Sequence, residues 1–152
     1  MKVAEVMNRR ILKVDPETPL REIWQLLLRS HLNDILIVNK QEKLLGIVTH
    51  GDLGRRLLPD ELELAKHEEY LADPELIEDR VIDILSLPVE EVMTKKVLTV
   101  PPDSSTIKAG AIMLSHHVKQ LPVVDNQKVV GIISYNDIGW GLMMKYSGCM
   151  KS

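Results

Sequence analysis

The sequence predicts a mixed α/β fold of the α+β type, built from two tandem β-α-β-β-α units with a helical insert between them. The 152-residue chain contains an internal repeat, since three segments recur after 85 or 86 positions. These are Val3–Met7 at Val89–Met93, Ile35–Val38 at Leu121–Val124, and Lys43–Thr49 at Lys128–Ser134. Such self-similarity indicates one structural unit used twice.

Each repeat begins with a short β-branched run, Ile11–Val14 or Val97–Val100, which predicts a strand. The Pro-rich turn that follows supplies capping side chains and, in the first repeat, a proline for the first helical position. Apolar residues then recur at spacings of three and four, which predicts a helix. They are Leu20, Ile23, Trp24, Leu27 and Leu28 in the first repeat, and Ile107, Ala111, Leu114 and Val118 in the second.

Two further apolar runs in each repeat flank a polar turn, which predicts a hairpin. The runs are Ile35–Val38 and Leu44–Val48 in the first repeat, and Leu121–Val124 and Val129–Ile133 in the second. A short closing helix is expected from about His50 and from about Tyr135. The expected organisation is therefore a first unit at residues 1–58, an acidic linker at 59–88, a second unit at 89–146 and a tail at 147–152.

The insert between the repeats is acidic, and its helical pattern breaks at Asp73-Pro74. Residues 60–87 hold ten Asp or Glu and two Lys or Arg, a local net charge of −8 in a chain of net charge −3. The rest of the chain therefore carries +5. The insert is either a pair of surface helices that join the repeats or a regulatory segment that binds a partner.

Composition narrows the range of functions. The one cysteine, Cys149, excludes a disulfide framework and the common Cys-based zinc sites. With no secretory signal and no apolar run of about 20 residues, a cytoplasmic location is expected. Aromatic residues make up 3% of the chain, too few for a stacking platform for single-stranded nucleic acid. Nucleic-acid binding stays an alternative only because of the +5 charge outside the insert.

Each repeat places a hydroxyl residue at the end of a strand and an acid three positions later. The pairs are Thr49 with Asp52 and Ser134 with Asp137. This spacing puts the hydroxyl at a helix N-terminus, which favours phosphate, and the carboxylate one turn in, where it can accept from both ribose hydroxyls. Ile47 and Ile132 would line an apolar slot for a base. The same spacing is also a variant of the helix capping box, which needs no ligand.

These motifs resemble the CBS domain pair. The resemblance rests on the Val-Met lead-ins, on Leu-Pro-Val-Val-Asp at 121–125, and on Gly-Ile-Val-Thr-x-x-Asp-Leu at 46–53 with Gly-Ile-Ile-Ser-x-x-Asp-Ile at 131–138. It covers residues 3–57 and 89–142. The first repeat departs from the pattern at Leu36, where the family often has proline.

The resemblance implies that the two units pack about a pseudo-twofold axis and bind adenosine-containing ligands in two clefts between them. AMP, ADP, ATP and S-adenosylmethionine are the expected regulatory ligands, and none is an obligatory cofactor. Thr18 and Ser104 become candidates to face base or sugar, although both fit equally well as helix N-caps. We expect a regulatory module acting on a separate protein, and neither an enzyme nor a metal site. The alternative is an interaction module without a small ligand.

Assembly as a homodimer is also expected, because the closing helices carry many apolar residues. These are Leu53, Leu57, Leu58, Ile138, Trp140, Leu142 and Met143.

Three further sets of residues give weaker indications of a role. The equivalent basic pairs Arg9-Arg10 and Lys95-Lys96 either lean toward phosphates or are solvated. His31 and His117 share a packing place near a helix end, and the methionines Met143, Met144 and Met150 fill a core or an interface.

Overall fold

A computed structural model describes residues 1–147; Cys149, Met150 and most of the predicted tail lie outside the described residues. The helices are α1 Val3–Val6, α2 Leu20–Ser30, α3 His50–Leu57, α4 Glu61–Lys66, α5 Glu69–Ala72, α6 Glu75–Leu85, α7 Thr106–His116 and α8 Tyr135–Tyr146, with a 3₁₀ helix at Val89–Glu91. The strands are β1 Lys13–Val14, β2 Asp34–Val38, β3 Leu44–Thr49, β4 Gln120–Asp125 and β5 Lys128–Ser134. The predicted mixed α/β class, the hairpin strands and the closing helices are confirmed.

The first strand of each repeat is shorter than predicted: β1 comprises only Lys13–Val14, and the second repeat has a single bridge at Val100. In the first repeat β1 runs parallel to β2, and the Leu36 N–H donates to the Leu12 carbonyl at 2.9 Å. Pro122 stands at the position equivalent to Leu36, and proline has no N–H to donate to Leu98. The predicted strand at Val97–Val100 is therefore wrong in length, since only a single parallel bridge joins Val100 to β4.

The N-caps of α2 and α7 each lie one residue later in the chain than the predicted N-caps Thr18 and Ser104. Pro19 stands at the N-cap of α2 without a side-chain cap, and Ser105 caps α7 by accepting from the Lys108 N–H at 3.1 Å. The N-cap alternative for Thr18 and Ser104 is therefore wrong.

Both helices end in a residue with left-handed backbone conformation, His31 and His117, with φ of 57° and 53°. These two histidines are exposed, so their shared role is to end a helix and not to pack.

The two apolar stripes of α7 differ in burial. Ala109 and Met113 face the core, whereas the predicted stripe of Ile107, Ala111 and Leu114 is exposed. Several residues predicted to cover a dimer surface are instead part of a core: Leu53 is buried, and Leu57 and Ile138 pack against buried clusters.

The acidic insert folds as three helices, α4 to α6, and not as a pair. Asp60 caps α4 by accepting from the Glu63 N–H at 2.8 Å. A hydrogen bond from Arg80 to Glu63 joins α6 to α4 and raises the pKa of Arg80. Ile84 anchors α6 in the core beneath α2, whereas most acids of the insert are exposed.

Packing divides the chain into two compact units that do not coincide with the two repeats. The first, here called the β3 unit, comprises Leu12–Lys40 and Leu45–Lys95. The second, the β5 unit, comprises Met1–Ile11, Gln41–Leu44 and the described chain over residues 96–147. Each unit thus holds the lead-in segment that precedes the other repeat, the lead-ins being residues 1–11 and 89–95.

In the β5 unit the lead-in is held by backbone hydrogen bonds and by buried apolar side chains. The Val3 N–H donates to the Ser104 carbonyl at 2.8 Å, and the Val3 side chain is fully buried. Asn8 and Ile132 exchange two backbone hydrogen bonds of 2.8 and 2.9 Å. The core that results contains Val3, Met7, Val100, Ala109, Met113, Leu121, Val123 and Ile133.

The β3 unit repeats the same arrangement with the second lead-in. The Val89 N–H donates to the Thr18 carbonyl at 2.8 Å, and Val89 is fully buried. Thr94 and Ile47 exchange two backbone hydrogen bonds of 2.9 and 3.1 Å. The core contains Leu20, Ile23, Leu27, Ile35, Ile37, Val48, Leu53, Ile84 and Val89.

The glycine that precedes each strand-end isoleucine lets the lead-in backbone approach. A Cβ on Gly131 would lie 2.9 Å from the Asn8 carbonyl oxygen, and a Cβ on Gly46 would lie 2.9 Å from that of Thr94. Real Cβ atoms essentially never come this close to another heavy atom. Contact with the lead-in backbone therefore explains why each repeat has a glycine before this isoleucine.

Substitution of these glycines tests the lead-in contact. We expect Gly46→Ala and Gly131→Ala each to lower the free energy of unfolding by about 1–3 kcal/mol, because a backbone must shift to admit the methyl group. Urea unfolding followed by circular dichroism measures the change.

The matched controls are Gly54→Ala and Gly139→Ala, which lie in α3 and α8 where a Cβ meets nothing within 4 Å. They should raise the free energy of unfolding by about 0.5–1 kcal/mol through helix propensity. Equal stability of Gly131→Ala and Gly139→Ala would contradict the contact.

Candidate functional site

The strand-to-helix turn between β5 and α8 joins Ser134 to Asp137, as predicted. The Ser134 N–H and hydroxyl donate to Oδ2 of Asp137 at 2.7 and 2.6 Å. In return, the Asp137 N–H donates to the Ser134 hydroxyl oxygen at 3.4 Å. Both hydrogen bonds to the carboxylate are accepted by Oδ2, and neither involves Oδ1.

The turn between β3 and α3 joins Thr49 to Asp52 in the same way. The Thr49 N–H and hydroxyl each donate to Oδ2 of Asp52 at 2.8 Å, and the Asp52 N–H donates to the Thr49 hydroxyl oxygen at 3.3 Å. Here Oδ1 is also engaged, since Nη2 of Arg55 donates to it at 2.6 Å. The two turns therefore share the same hydrogen bonds between the hydroxyl residue and the acid. They differ at Oδ1, which accepts a hydrogen bond from an arginine of the same helix only in Asp52.

Both turns are complete capping boxes, so the structural role that the spacing allowed is present in each repeat. A capping box uses one carboxylate oxygen and leaves the other available. Among residues 1–147, no group pairs with Oδ1 of Asp137. The cap and a ligand role are thus compatible in the same side chain.

The lead-ins bring basic residues beside these turns. The Asn8–Ile132 pair lies two residues before Ser134, and Arg9 and Arg10 follow Asn8. The Thr94–Ile47 pair lies two residues before Thr49, and Lys95 follows Thr94. Each basic segment therefore lies beside the strand end of the opposite repeat. Sequence reasoning missed this pairing, although the two glycines before Ile47 and Ile132 carried a signal for it.

The remaining predicted site residues lie on the strands and on the turns before the first helices. Ile47 and Ile132 are buried on β3 and β5, at the two positions that pair with the lead-ins. Thr18 is nearly buried and Ser104 is half-buried. The carbonyls of Thr18 and Ser104 receive the lead-in N–H groups of Val89 and Val3, which fixes these two turns.

Neither metal ligands nor a membrane span is found in the described part of the chain. Over residues 1–147, no group of three or more His, Cys, Asp or Glu is placed to hold a metal ion. Over the same residues, no helix has both the length and the apolar character needed to cross a bilayer.

Comparison with known proteins places these features in one family. The family model for the CBS domain matches residues 3–58 and 89–138. The chloride channel protein CLC-f of Arabidopsis thaliana is 32% identical over 91% of this chain, but the match spans only 18% of the channel. An uncharacterized protein of Methanocaldococcus jannaschii is 27% identical over 91% of this chain and 89% of its own length.

Among solved structures, the fold is similar to the CBS domain pair of protein MJ0100. The TM-score is 0.70 at 23% identity, and the match covers 95% of this chain and 98% of that one. That structure is a complex with 5′-methylthioadenosine and S-adenosyl-L-methionine.

Proposed function

This chain belongs to the CBS domain family, and we propose that it is a regulatory module that binds an adenosine-containing ligand and transmits occupancy to a separate protein. The observation that carries the proposal is Oδ1 of Asp137, which lies beside the N-terminus of α8 and has no hydrogen-bond partner among residues 1–147. This carboxylate oxygen is fixed in position by the bonds that Ser134 makes to Oδ2. A preorganised acceptor of this kind suits the two hydroxyls of a ribose.

The surrounding residues supply the other parts of such a ligand site. Ser134 and Thr49 stand at helix N-termini, where N–H groups and the helix dipole favour a phosphate. Arg9, Arg10 and Lys95 add positive charge on the neighbouring lead-ins. Ile47 and Ile132 offer apolar contact to a base, and Thr18 and Ser104 are further candidates to contact base or sugar.

The ligand class is supported by MJ0100, whose CBS pair holds two adenosyl compounds. AMP, ADP, ATP and S-adenosylmethionine are therefore the first compounds to screen. A ligand that binds only the native state raises the melting temperature, so a thermal-shift assay ranks them. No melting shift with any of them would favour an interaction module without a small ligand.

We further propose that a second copy of the chain covers the exposed face of α7. Ile107 and Leu114 are 73% and 67% exposed, and Ala111 lies on the same face. On α2, the positions equivalent to Ile107 and Ala111 hold Arg21 and Gln25, polar residues that are typical of a solvent-exposed helix face. On α8, which packs beside α7, Trp140 and Met143 are also exposed. An apolar face of this kind is typical of a covered surface.

The ribose role of Asp137 is tested by Asp137→Ala. We expect this change to weaken binding of the best screened ligand by roughly 1.5–3 kcal/mol, the usual contribution of hydrogen bonds to a charged group. The free energy of unfolding should fall by about 1 kcal/mol, because the capping box is lost. Isothermal titration calorimetry and urea unfolding measure the two effects separately.

The matched control is Asp60→Ala, which removes the N-cap of α4. It should lower the free energy of unfolding by about 1 kcal/mol and leave ligand affinity unchanged. A ligand that binds the parent chain and Asp137→Ala with equal affinity would remove the ribose role and leave Asp137 as a cap alone. The same comparison with Asp52→Ala tests the first repeat.

Assembly is tested by giving α7 the polar residues of α2. The double variant Ile107→Arg with Ala111→Gln should be folded and should scatter light as a single 17.2 kDa chain, whereas the parent should scatter at twice that mass. A parent chain that stays at 17.2 kDa at tens of micromolar would contradict the homodimer.

A further inference from the structure

We propose that Arg55 makes the two ligand sites unequal, so that the Asp52 site selects adenosine ligands that carry a phosphate. The Asp137 site, which has Trp140 at the equivalent position, discriminates less between adenosine ligands with and without a phosphate. The inference rests on the proposed function and adds a specificity-determining residue to it.

The side chain of Arg55 occupies the carboxylate oxygen that a ribose would need. Its Nη2 lies 2.6 Å from Oδ1 of Asp52, while Oδ2 is taken by Thr49. The Asp52 side chain is 19% exposed, so its faces open to a ligand are few. A ribose that donates both of its hydroxyls to Oδ1 must therefore displace the guanidinium, because a carboxylate oxygen accepts two hydrogen bonds.

Arg55 also lies against the first turn of α3. A Cβ on Gly51, the second residue of that helix, would come within 3.3 Å of Nη1 of Arg55. The glycine thus leaves room for the guanidinium over the helix N-terminus, where a phosphate would bind. The second repeat has the larger Asn136 at the equivalent position.

The second repeat has no arginine at the position equivalent to Arg55. The position equivalent to Arg55 is Trp140, which is exposed on α8 and carries no charge. The carboxylate of Asp52 is therefore neutralised by a cation within the same helix, whereas Oδ1 of Asp137 has no partner among residues 1–147. A phosphate at the first site therefore meets a guanidinium on the same helix as the acid, whereas the helix of the second site carries Trp140 at that position.

Displacing Arg55 from Asp52 costs little free energy, and the displaced guanidinium then favours a ligand that carries a phosphate. The Arg55 side chain is 74% exposed, and exposed ion pairs are weak. An adenosine that takes Oδ1 leaves the guanidinium without its anion. A ligand with a 5′-phosphate provides a new anion close by, and arginine binds phosphate by paired, charge-assisted hydrogen bonds. The phosphorylated ligand is therefore favoured at this site.

The experiment uses the full chain with one site at a time removed. Asp137→Ala leaves the Asp52 site, and calorimetry with AMP and with adenosine gives the preference of that site. We expect AMP to bind at least about tenfold more tightly than adenosine, as a charge-assisted hydrogen bond implies. Adding Arg55→Gln should reduce this preference by about tenfold, with weaker AMP binding and stronger adenosine binding.

Two further variants sharpen the test. Arg56→Gln, on the next residue of α3, changes the net charge equally and should leave the AMP preference intact. In the Asp52→Ala background, which leaves the Asp137 site, Trp140→Arg should increase the preference for AMP over adenosine. This second variant does not depend on the stability of Asp137→Ala.

The outcomes separate the two proposals. A parent chain that binds neither AMP, adenosine nor any adenosyl compound of the screen overturns the proposed function, and this inference with it. Binding to Asp137→Ala with the same AMP preference before and after Arg55→Gln overturns the role of Arg55 alone. An equal loss of preference in Arg56→Gln would also overturn it, because the effect would then be one of net charge.

Discussion

The backbone pairing between each lead-in and the strand of the other repeat is the contact on which both units depend. Asn8 pairs with Ile132 and Thr94 pairs with Ile47, each through two hydrogen bonds. The buried Val3 and Val89 complete the two cores. A single repeat of this size is marginally stable by itself, and in this chain the segment that completes each core comes from the other repeat.

The same pairing also holds the ends of β3 and β5, where the candidate site residues lie. Each strand is held by its lead-in two residues before it turns into a helix, so the capping hydroxyl and acid follow directly after a hydrogen-bonded backbone pair. Asp52 and Asp137 show that one side chain can cap a helix through Oδ2 and leave Oδ1 for another partner. In the first repeat that partner is Arg55.

Local patterns in the sequence were sufficient to predict the repeat, the hairpin strands, the closing helices and both hydroxyl–acid pairs. The exchange of lead-ins could not be predicted, because Val3–Met7 and Val89–Met93 are so alike that either fits either repeat. The short strand before α7 follows from a missing N–H at Pro122, which acts on a residue far away in sequence. The contact of Arg55 with Asp52 spans three residues, and helical spacing alone could have indicated it.

Scalar coupling across hydrogen bonds, measured by NMR on the isotopically labelled chain, tests the exchange of lead-ins most directly. It identifies the donor nitrogen and the acceptor carbonyl of each bond. Couplings should join the Asn8 nitrogen to the Ile132 carbonyl and the Thr94 nitrogen to the Ile47 carbonyl. Couplings from Asn8 to Ile47 and from Thr94 to Ile132 would show that each lead-in stays with its own repeat, and would contradict the account.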